Sequence, residues 1–381
     1  MANITIFHWR DYRHPQLGGS TLNIVHIAEH LARQGHKVTL LTEKYSNKVP
    51  EVETYNGVVY IRKGSKLSQY IALPWYFLRN LKKNTDIVLE AYDAWPFLTP
   101  LWHKNVIMLI CHIQKEEWEM EFGKLLGKIL PGVASFLLRT FYKNSNIVAI
   151  SKSTDDSIVT ERIQSKTRSI IQVGTEDLIF TDAIPKKVSD RIVCCTPGRL
   201  RSHKRVDLAI ELVANYNTNQ RSPNGKHVYF DIIGAGDHEQ ELHQLVRDLH
   251  MEEYIRFYGR ASDEIKRDKL AIAHLHLQFS KREGWGMTVI EAACQGAPTL
   301  CLDILGLRDS VSEETGYVVK TKEELFARFP KIIADIENNS LEYQSRVQKG
   351  FDFAQQFRWS EIDQQWDELI QHVLEESAPQ K

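Results

Sequence analysis

The run LHLQFSKREGWGMTVIEAA occupies residues 275–293. Leu275–Phe279 is a short, mostly apolar segment of strand length. Ser280–Gly286 follows with two glycines around Trp285, and an apolar stretch of helical spacing begins near Thr288. A buried strand that turns through a polar glycine loop into a helix is half of a βαβ unit. The same grammar recurs on both sides. Ile192–Cys195 leads through Thr196–Arg205 to a helix from about Val206, and Ile4–His8 leads through a loop ending Leu17-Gly18-Gly19-Ser20 to an amphipathic stretch over Thr21–Gln34 that stops at Gly35. In that stretch Ile24, Ile27, Ala28 and Leu31 share one helical face.

Extended over the chain, the pattern predicts strands at Ile4–His8, Lys37–Leu41, Val58–Arg62, Asp86–Glu90, Val106–Cys111, Ile147–Ile150 and Ser169–Val173. A second set lies at Ile192–Cys195, Val228–Ile233, Ile255–Tyr258, Leu275–Phe279, Thr299–Leu302 and Tyr317–Val319. Apolar strands alternating with helices argue for two doubly wound parallel sheets, each covered on both faces. Helical period lapses across Asp177–Arg191, which holds Pro185, Lys186 and Lys187, so the division is expected there: 1–182, 190–356, and a C-terminal helix over 357–381. Ser360 and Asp363 offer that helix a capping pair, and Trp359, Ile362, Trp366, Ile370 and Val373 follow a helical period.

The chain has 381 residues, enough for two domains of ordinary size, with 43% hydrophobic and 25% charged residues. Its 48 basic and 49 acidic side chains leave a net charge of −1, so no global field recruits nucleic acid. Five cysteines, none spaced C-x-x-C, fit reduced thiols in a cytoplasmic protein. The opening apolar run is too short for a signal peptide, and Ile129–Leu138 is about half a bilayer span.

Open parallel sheets bind ligands beyond the carboxyl ends of their strands, so the loops there carry the chemistry. After Ile192–Cys195 stand Gly198, Arg199 and Lys204; two cations on one strand-to-helix connection suit a diphosphate, and equally a solvated basic loop. In the loop after Phe279, Glu283 can accept hydrogen bonds from sugar hydroxyls, and helix amides near Thr288 suit a phosphate. Glu291 fits a ribose contact, and Thr288-x-x-Glu291 equally fits a capping box. Gly234-Ala235-Gly236 lacks the third glycine of a dinucleotide fingerprint. His26 and His30 sit four apart on a helix without a third ligand, so no metal is expected.

Glu283-Gly-Trp-Gly-Met-Thr-Val-Ile-Glu291, followed by Gly296-Ala-Pro298, resembles the E-x7-E signature of the retaining glycosyltransferases of family 4, which have the GT-B fold. The resemblance runs over nearly the whole chain: Trp9-Arg10-Asp11 to Gly18-Gly19, Ala149-Ile150-Ser151-Lys152-Ser153, Val173-Gly174-Thr175-Glu176, Gly198-Arg199-Leu200 with Lys204, Phe257-Tyr258-Gly259-Arg260 and the Trp359 helix. It implies a site in the cleft between two Rossmann-like domains, with the helix over 357–381 crossing back to the first domain. Arg199 and Lys204 would hold the donor diphosphate, Glu291 the ribose, and Tyr258, Gly259 and Arg260 would lie by the base. Glu283, Gly286, Met287 and Thr288 would sit by the transferred sugar and phosphates, His112 would contact that sugar, and Gly18 and Gly19 would approach phosphate or acceptor. The acceptor pocket would draw on Trp9, Arg10, Glu90, Tyr92, Asp93 and Lys115. The departures are Leu305-Gly306 and Asp309 where the family often has Gly-Gly and Glu, Arg205 for a common glycine, and Gln114 for an acidic residue.

The implied reaction is transfer from a nucleotide-diphosphate sugar (UDP first, GDP next) to a glycan, lipid-linked or small-molecule hydroxyl. No carboxylate pair is evident for double displacement; the resemblance implies retention by front-face attack, with Arg199, Lys204 and the helix N-terminus doing the work of a divalent metal. A phosphorylase, a sugar-nucleotide epimerase and a non-catalytic sugar-nucleotide-binding subunit are the competing expectations. The segment 122–143 holds Lys124, Lys128, Arg139 and Lys143, several leucines and no acidic residue; it fits peripheral contact with the inner face of an anionic membrane, or an ordinary surface helix pair.

Overall fold

The computed structural model describes residues 1–93, 95–113, 117–175, 186, 188, 191–219 and 225–377, apart from the side chains of 117–122 and 124. It comprises two compact units, Met1–Val173 with Ser360–Lys381, and Gly174–Trp359. The chain therefore passes between units at Val173/Gly174 and again inside its last helix; most of 177–191 lies outside the described residues.

The strands of the first unit are β1 (Asn3–Phe7), β2 (Lys37–Thr42), β3 (Val52–Tyr55), β4 (Val58–Arg62), β5 (Ile87–Tyr92), β6 (Val106–Ile110), β7 (Asn146–Ala149) and β8 (Thr167–Ile170). They form one sheet in the order β3-β4-β2-β1-β5-β6-β7-β8, parallel except for the β3–β4 hairpin. Its helices are α1 (Gly19–Arg33), α2 (Gln69–Asn80), α3 (Glu117–Phe141) and α4 (Lys152–Thr160). The seven strands expected here are present, the last shifted from the expected Ser169–Val173 to Thr167–Ile170. The eighth, β3, has largely exposed side chains and so lacks the apolar run or alternation that betrays a strand.

The second unit holds β9 (Ile192–Pro197), β10 (Val228–Ile233), β11 (Ile255–Phe257), β12 (Leu275–Gln278), β13 (Thr299–Leu302) and β14 (Tyr317–Val319). All are parallel, in the order β11-β10-β9-β12-β13-β14, with Leu275 opposite Cys194 and His276 opposite Cys195. The helices are α5 (Val206–Asn219), α6 (Glu239–Asp248), α7 (Asp263–Ile272), α8 (Met287–Cys294), α9 (Leu307–Ser310), α10 (Lys322–Glu337) and α11 (Leu341–Ala354). The last helix, α12 (Trp359–Ser377), joins the first unit from Ser360 onward.

Strand order directs where each unit can bind. Sequence order reverses between β9 and β12 in the second unit and between β1 and β5 in the first. At such a switch point the two following loops diverge and leave a crevice at the strands' carboxyl ends. All five cysteines are buried free thiols. Among the described residues no helix is long and apolar enough to cross a membrane.

Candidate functional site

In the second unit the loops after β9 and β12 meet. The amide of Lys281 donates to the His203 carbonyl at 2.8 Å, and Lys204 Nζ pairs with Glu283 Oε1. Gln278 Nε2, at the end of β12, donates to the same oxygen at 2.6 Å, and Ser280 Oγ does so at 2.8 Å. Burial pushes the Glu283 carboxyl up, but the Lys204 charge and the donors outweigh it and hold the group below the usual carboxylate range. His203 next to them is driven down to about 4 by burial and by the neighbouring Lys204 charge, so it is neutral at neutral pH. Gln278 and Ser280 escaped the sequence reading, though both stand within five residues of Glu283.

The loop carrying Arg199 is laid against the loop after β10. Gly198 N donates to Ile233 O at 2.8 Å and Leu200 N to Ala235 O at 3.0 Å. A Cβ at Gly234 would stand 1.7 Å from the Gly198 carbonyl oxygen, so this glycine serves close backbone packing. Arg199 is half-buried in that loop. Arg205 adopts the left-handed conformation, φ 53°, where the family's common glycine would sit without strain. Gly306 seats the Glu283 loop similarly: its own Cβ would lie 2.1 Å from the Glu283 carbonyl oxygen.

Helix α8 starts at Met287, and its cap is Gly286 in a left-handed conformation with no side-chain cap bond. The capping-box alternative for Thr288 and Glu291 is therefore not realised. The buried Glu291 instead meets Lys266 Nζ of α7 at 2.9 Å, a partner 25 residues away that local spacing could not indicate. Trp285 points inward and packs edge-on against Phe357, ring centroids 4.8 Å apart. Tyr258 sits half-buried after β11; its hydroxyl donates to Asp231 Oδ1 at 3.3 Å and accepts from Lys269 Nζ at 2.7 Å. A Cβ at Gly259 would meet nothing within 4 Å, and Arg260 is exposed.

The crevice of the first unit is centred on Asp93, directly after β5. Its Oδ2 accepts from His8 Nε2 at 3.0 Å, Trp9 Nε1 at 2.5 Å and Ser20 Oγ at 2.9 Å. Oδ1 is buried and has no hydrogen-bond partner among the described residues. Burial raises the Asp93 carboxyl, yet the bond and charge of His8, the charge of His112 and the Ser20 bond bring it below its ordinary value. His112 is half-buried just after β6. Gly18 caps α1 without a side-chain bond and Gly19 opens the helix. The loop between is pinned by a buried ion cluster, in which Arg62 Nε pairs with Asp11 and Nη2 with Glu53 at 3.0 Å.

Three residues expected at the acceptor are engaged in the loop or the core instead. The Arg10 guanidinium lies 3.7 Å over the Trp9 ring and donates to Gln16 O and Oε1 at 3.0 and 2.9 Å, so it braces the loop. Tyr92, only 3% exposed, belongs to the core with Met108, Ile110 and Leu138. Glu90 is fully buried on that same face and accepts from Phe97 N, Thr99 Oγ1 and Tyr142 Oη at 2.7, 2.5 and 2.7 Å. Strand alternation turns both inward. Lys115 and Gln114 lie outside the described residues. His26 and His30 are bonded to carboxylates of α12, and among the described residues no His, Cys, Asp and Glu group could hold a metal ion.

Residues 17–175 match the family model for Glycosyltransferase Family 4, and residues 180–349 that for Glycosyl transferases group 1. The chain belongs to the family-4 glycosyltransferases. It is accordingly a glycosyltransferase, and its two α/β units have the GT-B fold. It is 23% identical to the GPI3 subunit of phosphatidylinositol N-acetylglucosaminyltransferase from Saccharomyces cerevisiae (strain YJM789), over 97% of this chain and 83% of that one. It is 26% identical to the GtfA subunit of UDP-N-acetylglucosamine–peptide N-acetylglucosaminyltransferase from Streptococcus gordonii, over 55% of this chain and 40% of that protein. Among solved structures, sucrose-phosphate synthase from Thermosynechococcus elongatus superposes with a TM-score of 0.78 at 17% identity, covering 99% of this chain and all of that one. Anabaena HepE in complex with UDP and glucose gives 0.72 at 17% identity, covering 98% and 100%.

Proposed function

We propose that this glycosyltransferase takes a UDP-sugar donor and transfers the sugar, with retention, to a hydroxyl acceptor. The observation that carries the reading is the Lys204–Glu283 pair, with its Gln278 and Ser280 donors, at the switch point of the second unit. A carboxylate so held stays ionised and oriented toward sugar hydroxyls, while Arg199 and Lys204 offset the charge that gathers on the leaving diphosphate. The α8 amides at Met287 and Thr288, opened by Gly286, add partial positive charge at the same edge. Glu291, steadied by Lys266, serves the ribose, and the nucleobase lies by Tyr258, Gly259 and Arg260.

In the first unit, Asp93 Oδ1 accepts a hydrogen bond from an acceptor hydroxyl, with Trp9 and the Gly18–Gly19 turn beside it. His112 steadies the transferred sugar. The departing phosphate helps take the acceptor proton on the face from which it leaves. The reading needs no divalent metal, because Arg199, Lys204 and the helix amides would supply the positive charge that a cation brings. UDP as carrier is supported by the names of the GtfA relatives and of the HepE complex, and UDP-N-acetylglucosamine is the first sugar to try. A lipid-linked acceptor is supported by the name of the GPI3 relative and by the 122–143 segment, which contacts the cytoplasmic face of a membrane peripherally.

A thermal-shift series with UDP, GDP, ADP and dTDP and their sugars, with and without EDTA, tests the reading. Ligand at 100 times its Kd stabilises by about 2.7 kcal/mol. UDP compounds should stabilise selectively, regardless of EDTA, and Arg199→Ala should abolish the shift. Silence toward every nucleotide, with phosphorolysis of a glycan instead, would overturn the donor site in favour of a phosphorylase.

A further inference from the structure

Helix α2 buries Leu73, Pro74 and Phe77 and presents the opposite side to solvent, with Ile71 77% and Trp75 57% exposed and Leu67, just before the helix, 67%. Large apolar residues at i, i+4 and i+8 form one continuous stripe. The Arg79 guanidinium lies 4.2 Å over the Trp75 ring, and Lys66, Lys82 and Lys83 are exposed around it. From residue 54 to residue 85 the chain carries no acidic side chain.

Helix α3 repeats the arrangement. Leu125 (75% exposed), Ile129, Val133 and Phe136 run along one side, flanked by Lys128, Arg139 and Lys143. The two stripes belong to one surface. Leu73 and Phe77 pack on Phe7, Leu41, Ile61 and Val88, while Leu138 and Tyr142 pack on Tyr92, Met108 and Ile110. Val88 and Tyr92 are four apart on β5, and strand side chains alternate, so both helices cover the same face of the sheet. Their unburied sides therefore form the outside of a single helical layer.

We propose that α2 is a second membrane-contact element, acting with α3 to seat the first unit on an anionic lipid surface; the proposal builds on the membrane contact assigned to 122–143 above. The chemistry selects this occupant. A tryptophan capped by arginine at the edge of an aliphatic stripe suits the headgroup boundary, where the ring stays apolar-side and the cation meets phosphate. The basic residues around the two stripes are drawn to anionic lipid and would gain nothing from a neutral surface.

The 381-residue chain is sedimented with vesicles of phosphatidylcholine alone and of phosphatidylcholine with phosphatidylglycerol. Wild type should pellet with the anionic vesicles, less as salt is raised. Ile71→Ser/Trp75→Ser and Arg79→Glu/Lys82→Glu/Lys83→Glu should each weaken binding about tenfold with α3 intact, while keeping the wild-type melting temperature and UDP shift. Brominated lipid should quench wild type more than Trp75→Phe. α2 variants that pellet like wild type, with Leu125→Ser/Ile129→Ser alone impaired, would overturn the proposal and leave the contact of α3 standing. No pelleting by wild type would overturn both, without touching the donor site, which the UDP shift reads independently. A wild-type dimer by light scattering that Ile71→Ser/Trp75→Ser dissolves would give the stripe to a second copy instead.

Discussion

Glu283 gathers three donors on one oxygen, from Lys204, Gln278 and Ser280. Glu283→Gln removes the charge that Lys204 faces and turns an acceptor into a donor; kcat should fall at least a hundredfold, on the order of 3 kcal/mol, with the melting temperature little changed. Full activity in that variant would remove Glu283 from the chemistry. Gln278→Ala deletes one positioning bond worth about 1 kcal/mol, so a drop of about fivefold in kcat with unaltered UDP affinity is expected. Asp93→Asn should raise KM for the acceptor and leave UDP affinity unchanged, because it keeps the shape of the His8–Trp9–Ser20 cage and loses its charge. These positions differ in legibility. Glu283 and Lys204 stood out as charges in loops after strands, whereas nothing in a lone glutamine on β12 announces a partner. Tyr92 and Glu90 looked available because they sit at a strand's end, yet alternation turns them into the core.

At the scale of elements, α12 is held to α1 by histidine–carboxylate bonds. His26 Nε2 meets Asp363 Oδ1 at 3.0 Å; His30 meets Asp363 Oδ2 at 3.1 Å and Asp367 Oδ1 at 2.8 Å. Burial lowers the His30 imidazole, but its bonds to the two carboxylates outweigh that and raise it above its ordinary 6.5. Asp363 is pushed up by burial and pulled further down by His26 and His30, to about 2. A raised histidine stabilises fully below 6.5 and loses that stabilisation as pH climbs through its folded value; a depressed aspartate stabilises above 3.8 and loses it as pH falls toward 2. The clamp is thus strongest between about pH 4 and 6.5. Melting temperatures of wild type and His30→Gln should differ more at the acid end of that window than at alkaline pH; an equal gap throughout would show that His30 is not charged in the fold. The two histidines were visible as a pair in α1, but their carboxylates lie 337 residues away.

For the whole molecule, each unit has its own sheet and its own switch point, and the donor residues assigned here lie mostly in Gly174–Trp359. Amide exchange with and without UDP should show new protection in the loops after β9 and β12 and at the start of α8, and none in β2 and β4. Protection confined to the first unit would reverse the assignment. Thirteen of the strands could be read directly, because buried parallel strands need runs of branched apolar residues with polar loops at their ends. That alternation also placed Arg199, Lys204 and Glu283 after strands, where an open sheet binds. Which strands are neighbours, and hence which loops share a crevice, came only from the assembled sheets. So did the pairing of Glu291 with Lys266, the Asp93 cage, and the common layer of α2 and α3. Local pattern reflects the local cost of burying or exposing a side chain; partners far apart in the chain are chosen by packing, and packing leaves no period in the sequence to read.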